Sequence, residues 1–233
     1  AVASTKTEKT PKIKTTAFSN FAPAAEGPAL PPAEYKPLPV GTEIKYNNRS
    51  FTVIRSEGFT TIYKTKKGGL PGYQSSHALF GDYSDDLHVV YSHGMPITYD
   101  ISREERQKLE KFWPLKIGKR VEYQLKEGSE YSVPADDWKI SLKVLRAEAV
   151  RLNGYEYATY VIEEQGESDF EKSYIGHKWY HPGSGLVLKS KRKWLKYNVI
   201  SSDHASKTPH FDEGEEDNYE MVRVTFPKGT TTH

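Results

Sequence analysis

The sequence contains no cysteine. That removes disulfide staples, thiolate metal sites and cysteine nucleophiles together. No apolar run approaches the roughly 18 residues that a membrane-crossing helix needs. No glycine-rich phosphate loop, Walker lysine or dinucleotide fingerprint occurs, so no nucleotide cofactor is expected. Charge of one sign is scarce as well: 33 Lys and Arg stand against 31 Asp and Glu, a net +2 over 233 residues. A balance that small argues against a nucleic-acid binder, which carries a strongly basic face.

What is present is aromatic. Phe, Trp and Tyr make up 12% of the chain, with 16 tyrosines and 9 phenylalanines. Such side chains suit half-buried pleated surfaces. The composition therefore leans towards antiparallel β structure, in a chain long enough to bury a core without staples.

Four segments are expected: an arm at 1–39, a small β meander with a long loop at 40–100, a capped helix and half-barrel at 101–200, and an acidic tail at 201–233. The arm holds seven of the 14 prolines and few apolar anchors, Phe18, Phe21 and Tyr35. Such a stretch buries too little to offset its ordering entropy. It reads as an extended, partly polyproline arm that wraps a protein partner, with Phe18 and Phe21 as its plugs. The chain begins Ala1-Val2-Ala3-Ser4 without methionine, which leads to the expectation of an exported protein whose signal peptide has been cleaved.

In the body, Thr42–Asn47, Phe51–Ser56 and Phe59–Thr65 read as a three-stranded meander with turns at Asn47–Ser50 and Glu57-Gly58. Residues 68–86, rich in Gly, Ser, Tyr and Asp, read as a long loop. Leu87–Tyr91 and Ile97–Tyr99 are short strand candidates. One helix is expected at 102–112, with Ser102 and Glu105 as a capping box and Trp113-Pro114 as its stop. Val121, Tyr123 and Leu125 alternate with polar residues. Trp138–Val144 alternates too, and the apolar phase then slips to Leu145, as a β-bulge requires. Asn153-Gly154 is a hairpin turn, and Pro182–Gly185 turns the next pair. Tyr219–Phe226 is a final strand that completes a sheet or adds to a neighbour's edge. Leu38-Pro-Val-Gly-Thr-Glu-Ile-Lys-Tyr46 also repeats as Leu115-Lys-Ile-Gly-Lys-Arg-Val-Glu-Tyr123, with the glycine at the mouth of each strand.

Several of these pieces form a pattern: Leu38-Pro39-Val40-Gly41-Thr42, Trp113-Pro114-Leu115-x-x-Gly118, Tyr160-Val161-Ile162, and the hairpin Trp179-Tyr180-x-Pro182-x-x-Gly185-Leu186-Val187. Over residues 38–195 the chain resembles a group of exported proteobacterial β-sheet envelope proteins of unknown function, whose last hairpin reads W-Y-x-P-x-x-G-x-V. The resemblance implies a periplasmic or extracytoplasmic location and an antiparallel half-barrel. It implies no catalytic residues. The group often carries cysteines, and this chain departs from it there.

Candidate chemistry is sparse. His177 and His181 are four apart, but on a strand that spacing separates them by about 13 Å, so no metal is expected. Asp82, Ser84, Asp85 and Asp86 have calcium-like spacing without the turn glycine or closing glutamate, and read as a solvated acidic loop. Lys189, Lys191 and Lys193 share one face beside Trp194. They would meet an acidic protein face or a lipid head group, or block pairing on an edge strand. The acidic run at 212–217 is placed to neutralise them within the chain. Tyr73, Tyr83, Tyr91, Trp179 and Tyr180 are candidates for a sugar-binding face.

The resulting expectation is a mainly β fold: antiparallel meander plus half-barrel-like sheet, one short helix and an extended Pro-rich N-terminal arm. The expected function is that of a non-enzymatic exported subunit docking into a larger envelope assembly. The partner-binding residues are Phe18, Phe21, Tyr35, Lys189, Lys191, Lys193 and Trp194. The alternative is a periplasmic binding module for a glycan or lipid, using Tyr73, Tyr83, Tyr91, Trp179 and Tyr180. No catalytic residue, metal or cofactor is assigned.

Overall fold

Alternating apolar and polar residues set most of the chain in strands. The computed structural model describes residues 29–67, 70–83, 90–92, 95–129, 136–169, 172–196 and 216–227. Strands β1 (Glu43–Tyr46), β2 (Ser50–Glu57), β3 (Thr60–Lys67), β4 (Leu70–His77) and β5 (Gly81–Tyr83) form a meander. Then come β6 (Val90–Ser92), β7 (Met95–Asp100) and helix α1 (Arg103–Glu110). A second run holds β8 (Arg120–Ser129), β9 (Asp136–Leu152), β10 (Tyr155–Ser168), β11 (Ser173–His181) and β12 (Leu186–Lys196). The last strand is β13 (Glu216–Thr225).

The fold is mainly β, as expected, and among the described residues the thirteen strands join one antiparallel sheet. Its order is β5-β4-β3-β2-β1-β13-β12-β11-β10-β9-β8-β7-β6. The final strand completes this chain's own sheet: β13 inserts between β1 and β12 and joins the two runs. Segments 40–100 and 101–200 are therefore not separate sheets, and β7 pairs with β8 across the boundary between them. The sheet curls until β4 lies against β6 and β5 against β7.

Residues 68–86 differ from the expected loop. They contain β4 and β5, and β4 pairs with β3 along its whole length. The alternation signal fails there because the buried residues of β4 are polar: Ser75, Ser76 and His77. The bulge in β9 is present, since Val161 pairs with Arg146 while Ile162 pairs with Val144, leaving Leu145 as the extra residue. Asn153 and Gly154 both have positive φ, 51° and 84°, as a two-residue hairpin of type I′ demands.

Helix α1 starts at Ser102, whose hydroxyl accepts from the Glu105 amide at 3.3 Å. The other half of the capping box is not made. The Glu105 carboxylate instead accepts from the Gln124 backbone N–H at 2.8 Å and from Lys108 at 2.6 Å. It ties the helix to β8. Leu109 and Ile101 press against Gly81, where a Cβ would lie 2.5 Å from Leu109 Cδ1. One buried cluster gathers Phe80, Leu109, Phe112, Trp113, Tyr123, Trp138, Tyr160 and Tyr180. A second gathers Ile44, Tyr46, Val53, Tyr63, Val161, Trp179 and Leu188.

The nine-residue repeat is structural. Gly41 and Gly118 have φ of 89° and 85°. Their amides donate to Val53 and Val144 at 2.7 and 2.8 Å. Val53 and Val144 each donate back to the residue after the glycine, Thr42 or Lys119, at 2.9 Å. Leu38 and Leu115 are buried in both copies. The closing tyrosines reach distant carbonyls: Tyr46 Oη donates to Val187 at 2.8 Å and Tyr123 Oη to Phe80 at 3.1 Å.

Candidate functional site

The register of β10, β11 and β12 builds a buried charge cluster. Glu164 pairs with Gly176, and Gly176 pairs with Arg192. Paired residues share a face. With no side chain on Gly176, Arg192 reaches over β11 and donates to Glu164 Oε1 at 2.7 Å. Tyr174 and Lys178 flank Gly176 two residues away on the same face. Tyr174 Oη donates to Glu164 Oε1 at 3.0 Å, and Lys178 Nζ donates to Oε2. Arg192 also lies over the Tyr174 ring, 4.3 Å from its centroid. Burial would push the Glu164 pKa up. The Lys178 and Arg192 charges and the hydrogen bonds from Lys178 and Tyr174 outweigh it and hold the carboxyl at about 2 instead of 4.5.

Lys178 and Arg192 then line a cavity of about 160 Å³. Its opposite wall is Tyr46, Phe51, Tyr63, Gln74 and Ser76, with Ser190 and Tyr219 completing it and Arg49 at Tyr219. Ser76 on β4 and Lys178 on β11 stand six strands apart in the sheet order. In a flat sheet that is roughly 29 Å, so one cavity between them is a product of the curl. Among the described residues, its lining includes Arg49, Lys178 and Arg192 and no carboxylate. Ser76 is 4% exposed, and its hydroxyl has no hydrogen-bond partner.

The residues singled out in the sequence fall in several places. Phe18 and Phe21 lie outside the described residues, as do the side chains of Tyr83 and Tyr91. Tyr35 is packed on its own body: its ring lies 4.7 Å from Phe59 and 5.3 Å from Trp113, and its hydroxyl bonds Phe59 O and Thr61 at 3.4 Å. The chain around it docks too. Ala33 bridges Leu115, Lys36 Nζ donates to Gly183 O, and Tyr160 Oη donates to Pro31 O at 2.7 Å. This end of the arm is part of the fold.

The edge-strand reading of Lys189, Lys191 and Lys193 is corrected, because β12 is an interior strand of the sheet. Its basic run lies in register with the acidic start of β13: Lys193 with Glu216, Arg192 with Asp217 and Lys189 with Glu220. Opposite charges in such register are stabilising, as for Lys193 with Glu216 and Lys189 with Glu220. Lys189 Nζ also sits 5.5 Å over the Trp179 ring. Trp194 packs edge-on against Trp138 and Tyr174.

Tyr73 is 40% exposed. Trp179 and Tyr180 are buried at 8% and 0% and belong to different core clusters, so they do not share one exposed face with Tyr73. Trp179 Nε1 donates to Glu148 at 3.1 Å. His177 lies 3.8 Å from Glu163, and His181 bonds Ser184 in the turn at 2.9 Å. Burial lowers the pKa of both histidines. Among the described residues no group of three or more His, Asp or Glu could hold a metal. None of Glu164, Lys178, Arg192 and Ser76 stands among the site residues assigned from the sequence. The one local signal was an acid on the inward face of an apolar strand.

No family model matches this chain, and no curated protein matches it. Among solved structures it is similar to the crystal structure of a hypothetical lipoprotein, YmcC, from Escherichia coli (K12). The two are 11% identical, with a TM-score of 0.46 over 68% of this chain and 84% of that one. Among the described residues, no helix is long and apolar enough to cross a membrane.

Proposed function

We propose that this chain is an exported, non-enzymatic β-sheet protein of the bacterial envelope that binds a small ligand inside its curled sheet. The observation that carries this reading is the cavity between β4 and β11, with aromatic walls, cationic side chains and an unpartnered buried hydroxyl. Ligand sites are concave, with polar groups placed to fix a ligand's orientation, and this cavity sets cationic and hydroxyl groups beside its aromatic walls. The W-Y-x-P-x-x-G-x-V hairpin supports the envelope setting.

The test is mass spectrometry of small molecules extracted from the protein purified from its native source. A Ser190→Leu variant, whose larger side chain fills the cavity, is the control. A species carried by the wild type and absent from the folded variant supports the reading. Identical blank extracts count against it.

A second reading, docking as a subunit of a larger assembly, is favoured by the twin turns. Val40 and Ile117 occupy the same repeat position and are 55% and 56% exposed. The strands they precede, β1 and β8, run in the same direction, so both side chains sit at one rim of the sheet. A pull-down from native extracts with the wild type and a Val40→Ser/Ile117→Ser double variant separates the two readings. A partner lost only in the variant supports docking.

A further inference from the structure

We propose that the cavity selects a ligand with an oxyanion head, a carboxylate or phosphate monoester, on an apolar body about the size of one aromatic ring. This inference rests on the ligand-binding reading above and adds the chemistry of the ligand. Size comes first. A cavity of about 160 Å³ matches the roughly 150 Å³ that accommodates benzene in an engineered protein core. The walls come next. Tyr46, Phe51, Tyr63 and Tyr219 form a continuous aromatic lining, with Tyr46 4.8 Å from Tyr219 and Phe51 5.7 Å from Tyr63. They supply flat apolar surface for a ring or a short chain.

The polar groups decide the head. Lys178 carries three N–H donors, and Glu164 Oε2 accepts one of them. Ser76 brings a hydroxyl that is buried and unpartnered. An oxyanion in the cavity would offer acceptors to both groups. A neutral alcohol would offer one weak acceptor, whereas an oxyanion offers two or more charged ones, and hydrogen bonds between charged groups are the strong ones. A cationic ligand would meet the Lys178 ammonium, and among the described residues no carboxylate lines the cavity to pair with it. The Glu164 carboxylate lies behind Lys178, 3% exposed. It fixes the ammonium in place so that the site is ordered before a ligand arrives, which reduces the entropic cost of binding.

The experiment titrates the whole chain with four probes of one size: benzoate, phenyl phosphate, benzyl alcohol and benzylamine. Isothermal calorimetry gives affinities, and backbone amide NMR shifts locate the site. The expected result is that benzoate or phenyl phosphate binds at least about tenfold tighter than benzyl alcohol, with benzylamine weakest. Shifts should centre on β4 and β11. Which of the two anions binds better separates a carboxylate ligand from a phosphate one. Ser76→Ala should weaken the anions about tenfold and benzyl alcohol by less. Ser76→Leu should abolish binding of all four while retaining the native spectrum.

If benzyl alcohol binds as tightly as the anions, the oxyanion proposal is overturned and the ligand-binding reading stands. If no probe binds the folded wild type at millimolar concentration, both are overturned, and Ser76 is a hydroxyl that water satisfies.

Discussion

Glu164 is a buried carboxylate on which three polar side chains converge. A carboxylate 3% exposed survives there only because an ammonium, a guanidinium and a phenol meet it from the next two strands. Removing one member of such a buried set leaves the others desolvated and uncompensated. Glu164→Gln is therefore expected to destabilise the protein by about 3 kcal/mol, read by urea denaturation at pH 7. The sign of the pH dependence follows from the pKa. The folded value, about 2, lies below the ordinary 4.5. Its contribution is present above pH 4.5 and is lost as pH falls towards 2. Wild type should lose stability across that window more steeply than Glu164→Gln. Parallel curves for the two proteins would remove Glu164 from the account. The four positions are ordinary in the sequence, because only the register of three strands brings them together.

Among elements, the repeated turn is the best test of local design. Gly41 and Gly118 hold left-handed φ and close the same pair of backbone hydrogen bonds. No neighbour crowds either one: Gly118 has nothing within 4 Å of a built Cβ, and Gly41 only Pro227 at 3.6 Å. The cost of a side chain is then conformational. Gly41→Ala and Gly118→Ala should each cost about 1–2 kcal/mol, and by similar amounts, measured by chemical denaturation. The nine-residue pattern was legible in the sequence because the same turn geometry demands the same residues twice. The capping box was only half legible. Ser102 caps as its position dictates, but the Glu105 carboxylate found a β8 amide, a tertiary partner that local spacing cannot reveal.

The segment before β1 is the second element to test. Its prolines and lack of apolar alternation made it read as an arm for a partner. Yet Ala33 and Leu38 are 5% and 4% exposed, and Tyr35 packs on Trp113. A chain starting at residue 40 should be less stable than one starting at residue 29 by about 3–5 kcal/mol, the cost of emptying buried apolar sites. Equal thermal midpoints for the two would contradict this packing. It also follows that a truncation meant to probe docking should stop at residue 28.

At the scale of the molecule, β13 holds the two runs together. It pairs with β1 on one side and β12 on the other, although the chain between β12 and β13 separates them in sequence. Truncation after residue 215 would expose both strands as edges, which invites intermolecular pairing. The expected result is loss of a single cooperative thermal transition and formation of larger species, seen by circular dichroism and by light scattering after gel filtration. A monomeric truncated protein with an unchanged midpoint would contradict the role of β13. The cavity belongs to this scale as well, since its two walls come from strands six places apart.

The sequence by itself determined most of the strands, the N-cap of the helix, the bulge in β9, the Asn153-Gly154 hairpin and the twin glycine turns. All of these depend on alternation, φ preference or a side chain bonding its own backbone within a few residues. Tertiary structure alone decided that β4 is a strand despite its buried polar residues, that Tyr35 serves the core, and that β12 is interior. It also decided that Ser76, Lys178 and Arg192 line one cavity. Those outcomes depend on which strands become neighbours and how far the sheet curls. Both are set by the summed packing of the whole chain, which no short window of sequence contains.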